Sequence, residues 1–333
     1  MSAWTQPGAY QVSQGVYRIP LPLPHDGLRA VNVYALVDGE QLLLIDSGWA
    51  LAESEELLVR ALQGIGYQLA DVREFLVTHV HRDHYTQAVA IRRAHGTRVA
   101  LGAGERPGLA AIQEAIRTRR RPDAAHLVRA GAAGLLPDAA GGDPGPNWEL
   151  PDRWLADGAD LPLSNRTLRV IATPGHTRGH VVFYDAGAAA LFAGDHVLPH
   201  ITPSIGYEPL PAESPLRDYL DSLRLMRALP DAVLLPAHGP TAPSVHARVD
   251  ELLDHHEQRL TESAKAVEHG ADTAAAAARL LRWTRRQRHF DELDRLNQML
   301  AVTETMAHLD VLVLRGWLTV SVEPDGVAHY AVA

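Results

Sequence analysis

The sequence predicts an α/β protein: strands and helices alternate over residues 1–244, and a helical module ending in a β-hairpin follows. Three observations predict this. Short runs rich in Val, Ile, Leu, Phe and Tyr recur along the first part, each bounded by turn residues. Several of these runs stop at a glycine-bearing loop that carries a His or an Asp. From about residue 244 the apolar spacing changes to that of helices.

Taken in order, residues 16–19, 31–37 and 41–46 read as a β-meander, with Asp38-Gly39 as the hairpin turn between the last two. Residues 51–66 read as a helix with Leu57, Leu58, Ala61, Leu62 and Ile65 on one face. A strand follows at 72–78, a helix at 86–95 and a strand at 98–101. Residues 103–150 differ: helical pieces, a basic run from Arg117 to Arg121, and a Gly/Pro/Asp-rich loop from Leu136 to Asn147. Insertions of this kind are commonly lids or connectors. Strands resume at 168–172, 181–184, 190–193 and 232–235. His176, Asp195 and His238 lie just past three of them, where loops gather functional groups. A long amphipathic helix at 245–268, three helices at 272–286, 291–297 and 300–315, and a hairpin from 317–322 and 327–332 complete the expected elements.

The densest chemistry is His79-Val80-His81-Arg82-Asp83-His84, directly after an apolar strand. On an extended backbone, residues two apart point the same way, so His79 and His81 can share one metal ion. Asp83 and His84 come as the chain turns and can face a second. Imidazole nitrogen and carboxylate oxygen suit borderline divalent metals such as zinc. Surface histidines would not cluster in this way: four ligand-type residues fall in six positions.

Composition narrows the function. The chain has 333 residues, 46% of them hydrophobic, enough for a large core. Its net charge of −9 and isoelectric point of about 6.0 disfavour non-specific binding to nucleic acid or anionic membrane. No run approaches the ~20 apolar residues of a membrane span, and the N-terminus lacks a signal-peptide pattern. With no cysteine, disulfides, thiolate ligands and cysteine nucleophiles are excluded, which suits a cytoplasmic protein.

Three further loops join the opening motif: Thr173-Pro174-Gly175-His176-Thr177-Arg178-Gly179-His180, Gly194-Asp195-His196 and Pro236-Ala237-His238-Gly239. Together with Leu44-Ile45-Asp46-Ser47-Gly48 they resemble, in order and spacing, the metallo-β-lactamase superfamily, and within it the hydroxyacylglutathione-hydrolase-like branch. The resemblance covers about residues 15–245. The C-terminal helices and hairpin resemble, more loosely, the winged helix of lactamase-beta-2-type members. The resemblance implies an αββα sandwich over 1–244 with a lid-like insertion at 103–150, a connecting helix at 245–268 and a winged-helix-like domain at 269–333. It assigns His79, His81 and His176 to a first ion, Asp83, His84 and His238 to a second, and Asp195 as the bridge. Asp83 and Asp195 are then expected in catalysis as well as in ligation. The cofactor implied is a pair of divalent ions, zinc first, with iron and manganese as alternatives. Two such ions about 3.5–4 Å apart lower the pKa of a shared water to near 7 and polarise a carbonyl or phosphoryl oxygen.

Two departures from the family pattern bear on the loops. Tyr85-Thr86 stands where a glycine is common, with Thr86 expected to cap the next helix and Tyr85 to face the site; Arg178 replaces a common proline. Asp46 is expected to support the ligands from behind rather than to ligate. His180 and His196 read as structural, and His255 and His256 as surface or interdomain residues. His200 and Tyr207, in the loop after Asp195, are candidates for substrate contact alongside Tyr85. The basic run reads chiefly as a solvated helix face, with an anion-binding role for an acidic substrate tail as the alternative. Segment 300–315 carries Glu304 and Asp310 with Arg315 as its one cation, so it reads as a packing or homodimer helix rather than a nucleic-acid reader. The expected function is hydrolysis of an acyl thioester or ester by a metal-bridging hydroxide on a small-molecule substrate. A metal-dependent nuclease or phosphodiesterase, a lactonase, and an iron redox protein are the alternatives.

Overall fold

The computed structural model describes residues 3–24, 27–119, 124–136, 145 and 147–333. Two sheets pack face to face. The first has seven strands in sequence order: β1 (Tyr10–Ser13), β2 (Val16–Pro22), β3 (Ala30–Asp38), β4 (Gln41–Ile45), β5 (Val72–Val77), β6 (Arg98–Gly102) and β7 (Arg153–Leu155). Neighbours are antiparallel up to β4 and parallel from β4 to β7. The parallel steps need crossovers, and helices α1 (Ala52–Gly64) and α2 (Arg82–His95) supply the first two. Helices α3 (Arg106–Thr118) and α4 (Ala124–Arg129) lie between β6 and β7.

The second sheet has five strands: β8 (Asp160–Pro162), β9 (Thr167–Ala172), β10 (Val181–Asp185), β11 (Ala190–Gly194) and β12 (Val233–Pro236), with β11 and β12 parallel and the rest antiparallel. Helix α5 (Pro215–Ala228) makes the crossover from β11 to β12. It has no counterpart among the expected elements. Its signal is the proline in its first turn with Leu216, Tyr219, Leu220 and Leu223 on one buried face.

Three apolar layers hold the sandwich. Tyr34, Ile45, Leu76, Phe183, Phe192 and Leu235 fill the space between the sheets, with the Tyr34 and Phe192 rings edge to face at 5.3 Å. Leu44 and Phe75 meet Leu58, Leu62, Val89 and Leu109 under the first helical layer. On the opposite side, Val182, Leu191 and Leu234 meet α5, and the same cluster continues into α6 (Val245–Glu268) and α8 (Arg295–Leu314) through Leu252, Leu260, Val302 and Leu312. The C-terminal helices therefore share a core with the second sheet.

The expected strands appear within a residue or so of their limits, except that β2 continues to Pro22, and helix 245–268 appears at its expected ends. Three elements differ. Helix α2 begins at Arg82 rather than 86, because its first turn is built from the motif residues themselves. Thr86 is therefore inside the helix; its hydroxyl donates to Arg82 O at 2.5 Å and accepts from Ala50 N at 3.0 Å. The helix expected over 272–286 is α7 (Ala274–Leu280), which stops where Leu281 takes an extended backbone, φ −84° and ψ 161°. The two helices expected at 291–297 and 300–315 are one, α8, since no Gly or Pro interrupts them and Asp294 caps the start by accepting from Asn297 N. Strands β13 (Leu318–Val322) and β14 (Ala328–Val332) form the final hairpin. In the 103–150 segment, Arg117 is exposed and paired with Glu114 at 2.6 Å, a solvated helix face. Arg120, Arg121 and most of the 136–147 loop lie outside the described residues. No helix among the described residues is long and apolar enough to cross a membrane.

Candidate metal centre

Strands β4, β5, β9, β11 and β12 all end at the same rim of the sandwich, and each delivers a loop there. Asp46 follows β4, His79 and His81 follow β5, His176 follows β9, Asp195 follows β11 and His238 follows β12. Asp83 and His84 occupy the first turn of α2. Two glycines make the convergence possible. Gly175 has φ 141°, and a side chain there would overlap the Tyr219 backbone of α5. Gly194 has φ 51°, and a Cβ would come within 2.7 Å of His180 Nε2 and 2.8 Å of Thr78 Cβ.

The side chains gather into two adjoining clusters. In the first, His79 Nε2 lies 3.0 Å and His176 Nε2 lies 3.1 Å from His81 Nδ1. Asp195 Oδ2 completes it, 3.5 Å from His176 Nε2 and 4.0 Å from His79 Nε2. In the second, Asp83 Oδ2 is 3.5 Å from His84 Nε2 and 3.4 Å from His238 Nε2. Asp195 Oδ1 faces this cluster, 3.3 Å from His238 Nε2 and 3.7 Å from His84 Nε2. One carboxylate thus presents one oxygen to each group.

The outer ring atoms show which nitrogens carry lone pairs inward. His176 Nδ1 lies 2.8 Å from Ser204 O and His238 Nδ1 lies 2.8 Å from Ala30 O. A carbonyl only accepts, so both Nδ1 atoms are donors, and the inward Nε2 of a neutral ring is bare. The Thr78 hydroxyl donates to Asp46 and accepts from His79 Nδ1 at 3.0 Å, with the same result. Asp46 accepts from Thr78 N at 2.8 Å and lies 2.9 Å from His84 Nδ1. It does so with φ 60°, a left-handed backbone that Asp tolerates better than most residues. Asn32, buried, holds the His238 loop by donating to Pro236 O and Gly239 O at 2.9 Å.

This donor set fits divalent ions. In the first cluster two bare Nε2 atoms face His81 Nδ1, which has at most one proton to offer. Their 3.0–3.1 Å spacings approach the edge, about 3.3 Å, of a tetrahedron with metal–nitrogen bonds near 2.05 Å. In the second, His84 Nε2, His238 Nε2 and Asp195 Oδ1 are buried without a hydrogen-bond partner among the described residues. The proton affinities reflect the same layout. Burial holds His79 well below the usual imidazole value and His81 down to about 3. Burial opposes charge on His84 too, but Asp83, Asp46 and Asp195 overcome it and raise it to about 9; His238 is raised well above its ordinary value, mainly by Asp195.

The remaining expected site residues divide. His200 is exposed and lies against Gly239, beside His238. Tyr207 is half-buried and packs on the C-terminal core. Tyr85 does not face the site: it is fully buried on α2, its hydroxyl donates to Glu149 O at 2.5 Å and its ring stacks on Trp148, because position 85 lies on the core face of the helix. His180 is structural, with Nδ1 2.9 Å from Thr173 Oγ1 and Nε2 accepting from Asp195 N. His196 is buried edge-on to Tyr219, and His256 is buried between α6 and α8, its Nδ1 3.1 Å from His308 Nε2, while His255 is exposed. The loop after Asp195 is held from α6: Arg248 donates to Leu198 O at 2.6 Å and Ile201 O at 2.9 Å. The supports at Thr78, Ala30 and Ser204 had no expectation; two of them act through backbone carbonyls, which carry no residue signal.

Comparison with known proteins bears on this geometry. The family model described as the metallo-beta-lactamase superfamily matches residues 26–238. Among curated relatives, "Lactamase-like protein adaB" of Aspergillus niger is 27% identical over 79% of this chain and 67% of its own length. An "Atrochrysone carboxyl ACP thioesterase" of Aspergillus fumigatus is 27% identical over 68% of this chain; the match spans 42% of that longer protein. Among solved structures, a beta-lactamase domain protein from Burkholderia ambifaria superposes with a TM-score of 0.80 at 27% identity, covering 100% of this chain and 95% of that one, C-terminal helices and hairpin included.

Proposed function

This chain belongs to the metallo-beta-lactamase superfamily, and from that premise we propose that it is a metal-dependent hydrolase of acyl thioesters, holding one divalent ion at His79, His81 and His176, a second at Asp83, His84 and His238, and Asp195 between them. The observation that carries the reading is Asp195, whose two oxygens face two separate donor clusters. The relatives named as thioesterases support the choice of bond. Zinc suits the nitrogen and oxygen donors best, ahead of iron and manganese.

Bound ions would supply a water acidic enough to ionise near neutral pH and a Lewis acid for the acyl carbonyl. The chain does the rest. Ser204, Ala30 and Thr78 hold the imidazoles in one tautomer, so their inward nitrogens need no reorganisation. His81 and Asp83 are the half-buried members of the two clusters, so the acyl group arrives from their side. No serine or cysteine nucleophile is required. Nucleic acid is the weaker substrate class, since α8 buries Val302, Met306, Leu309 and Leu312 in the core.

The test is a substrate screen of the zinc-loaded protein: acyl thioesters of coenzyme A, glutathione and carrier-bound pantetheine, alongside lactones and single-stranded RNA. Turnover of a thioester that falls at least ~1000-fold in both Asp83→Ala and His84→Ala supports the reading. Full activity in both variants, or turnover of RNA alone, overturns it.

A further inference from the structure

Glu105 is fully buried where β6 runs into α3, and its Oε2 has no hydrogen-bond partner among the described residues. Its Oε1 accepts from the Thr177 hydroxyl at 2.5 Å and from Val80 N at 3.3 Å. Val80 sits between His79 and His81, and Thr177 directly follows His176. The two loops come from different sheets, β5 in the first and β9 in the second. Backbone packing fixes the same joint: a side chain at Gly179 would overlap Gly104 and Glu105. Glu208, also buried, holds the neighbouring position by accepting from Arg178 N at 3.2 Å.

Packing alone does not account for this carboxyl. An unpaired buried acid costs stability, and burial pushes Glu105 up to about 7. An apolar residue would fill the space at no such cost, but it would leave Thr177 and Val80 N without an acceptor and the two loops untied.

We propose that Glu105 is a positioning residue for the first cluster, its single oxygen setting the separation between the His79–His81 loop and the His176 loop. This rests on the metal-binding reading above. It acts through Thr177 and Val80, so its effect belongs to one cluster and not the other.

The test measures zinc stoichiometry and affinity by competition with a chromophoric chelator, and the visible spectrum of the cobalt-substituted protein, in the wild type, Glu105→Ala, Glu105→Gln and Thr177→Val. Two ions are expected in the wild type. Glu105→Ala should weaken one of them about 10-fold or more and alter the cobalt spectrum, leaving the other ion unchanged. Thr177→Val, which keeps shape and removes one donor, should weaken the same ion about 5-fold. Glu105→Gln, which keeps the acceptor oxygen, should restore near wild-type affinity. If Glu105→Ala fails to fold, Thr177→Val and Glu105→Gln decide. Variants that bind both ions with wild-type affinity and spectrum overturn the proposal alone, as does equal weakening of both ions. A wild type that binds no divalent ion overturns the functional reading and this one with it.

Discussion

The first donor cluster is made of three imidazoles drawn from two sheets; the second is made of two imidazoles and a carboxylate, two of the three in a single turn of α2. The outer supports differ as well. Behind the first cluster stand a threonine hydroxyl and the Ser204 carbonyl; behind the second stand the Asp46 carboxylate and the Ala30 carbonyl at the start of β3. Charge follows from this. Burial disfavours charge on the imidazoles of the first cluster, while the carboxylates around the second favour it on His84 and His238. The two clusters thus differ in the charge their surroundings favour.

The sharpest probe of this contrast is Asp195→Ala, which removes the one group common to both. Metal analysis should show both ions weakened and thioester hydrolysis reduced at least ~1000-fold; loss confined to one ion would break the bridging geometry. Asp46→Asn comes next. It should weaken the second ion about 10–100-fold in a chelator competition and leave the first largely intact. Equal weakening of both would show that the link from Asp46 through Thr78 to His79 matters as much as the direct one. Removing the ions with a chelator should lower the melting temperature, since saturation at ~1000 times the dissociation constant stabilises by about 4 kcal/mol. An unchanged melting curve would mean that the clusters hold no ion in the folded state.

The smallest effect is in pH. Burial raises Glu105 to about 7 and Glu208 to about 8, above their ordinary value of 4.5. Both acids therefore keep their protons in the folded chain after the unfolded chain has lost them. Their contribution is fully present below about pH 4.5 and is lost as pH rises toward 8. In denaturant unfolding, the wild type should lose stability relative to Glu208→Gln as pH rises from 5 to 8. A slope unchanged in that variant would place the titration elsewhere.

Much of this was legible in the sequence because the parts concerned are side chains of unusual type in unusual density. The His79–His84 turn, the three later loops and Asp46 announce themselves by residue type, and the strands before them by apolar runs. What resisted reading was of another kind. Ser204 and Ala30 contribute carbonyl oxygens, and every residue has one. Tyr85 sits one position past a donor, so its chemistry suggested the site, but the helix begins early enough to turn it into the core. Glu105 stands far in sequence from both loops it joins, and one acid in an insertion has no distinguishing pattern. Helix α8 was divided in expectation because propensity alone does not locate a junction without a breaker.

Arg248 lends the fold a property that bears on how it can be handled. Its guanidinium reaches from α6 to the carbonyls of Leu198 and Ile201, and the same loop, three residues on, carries the Ser204 oxygen against His176. Further along, Gly206 rests on Thr303 and Ala307 of α8. The donors all lie before residue 239, yet the wall against which one of them leans is built from the last part of the chain. A truncation at residue 244 would keep every donor and lose the brace, so the smallest transplantable catalytic unit is longer than the motif-bearing segment.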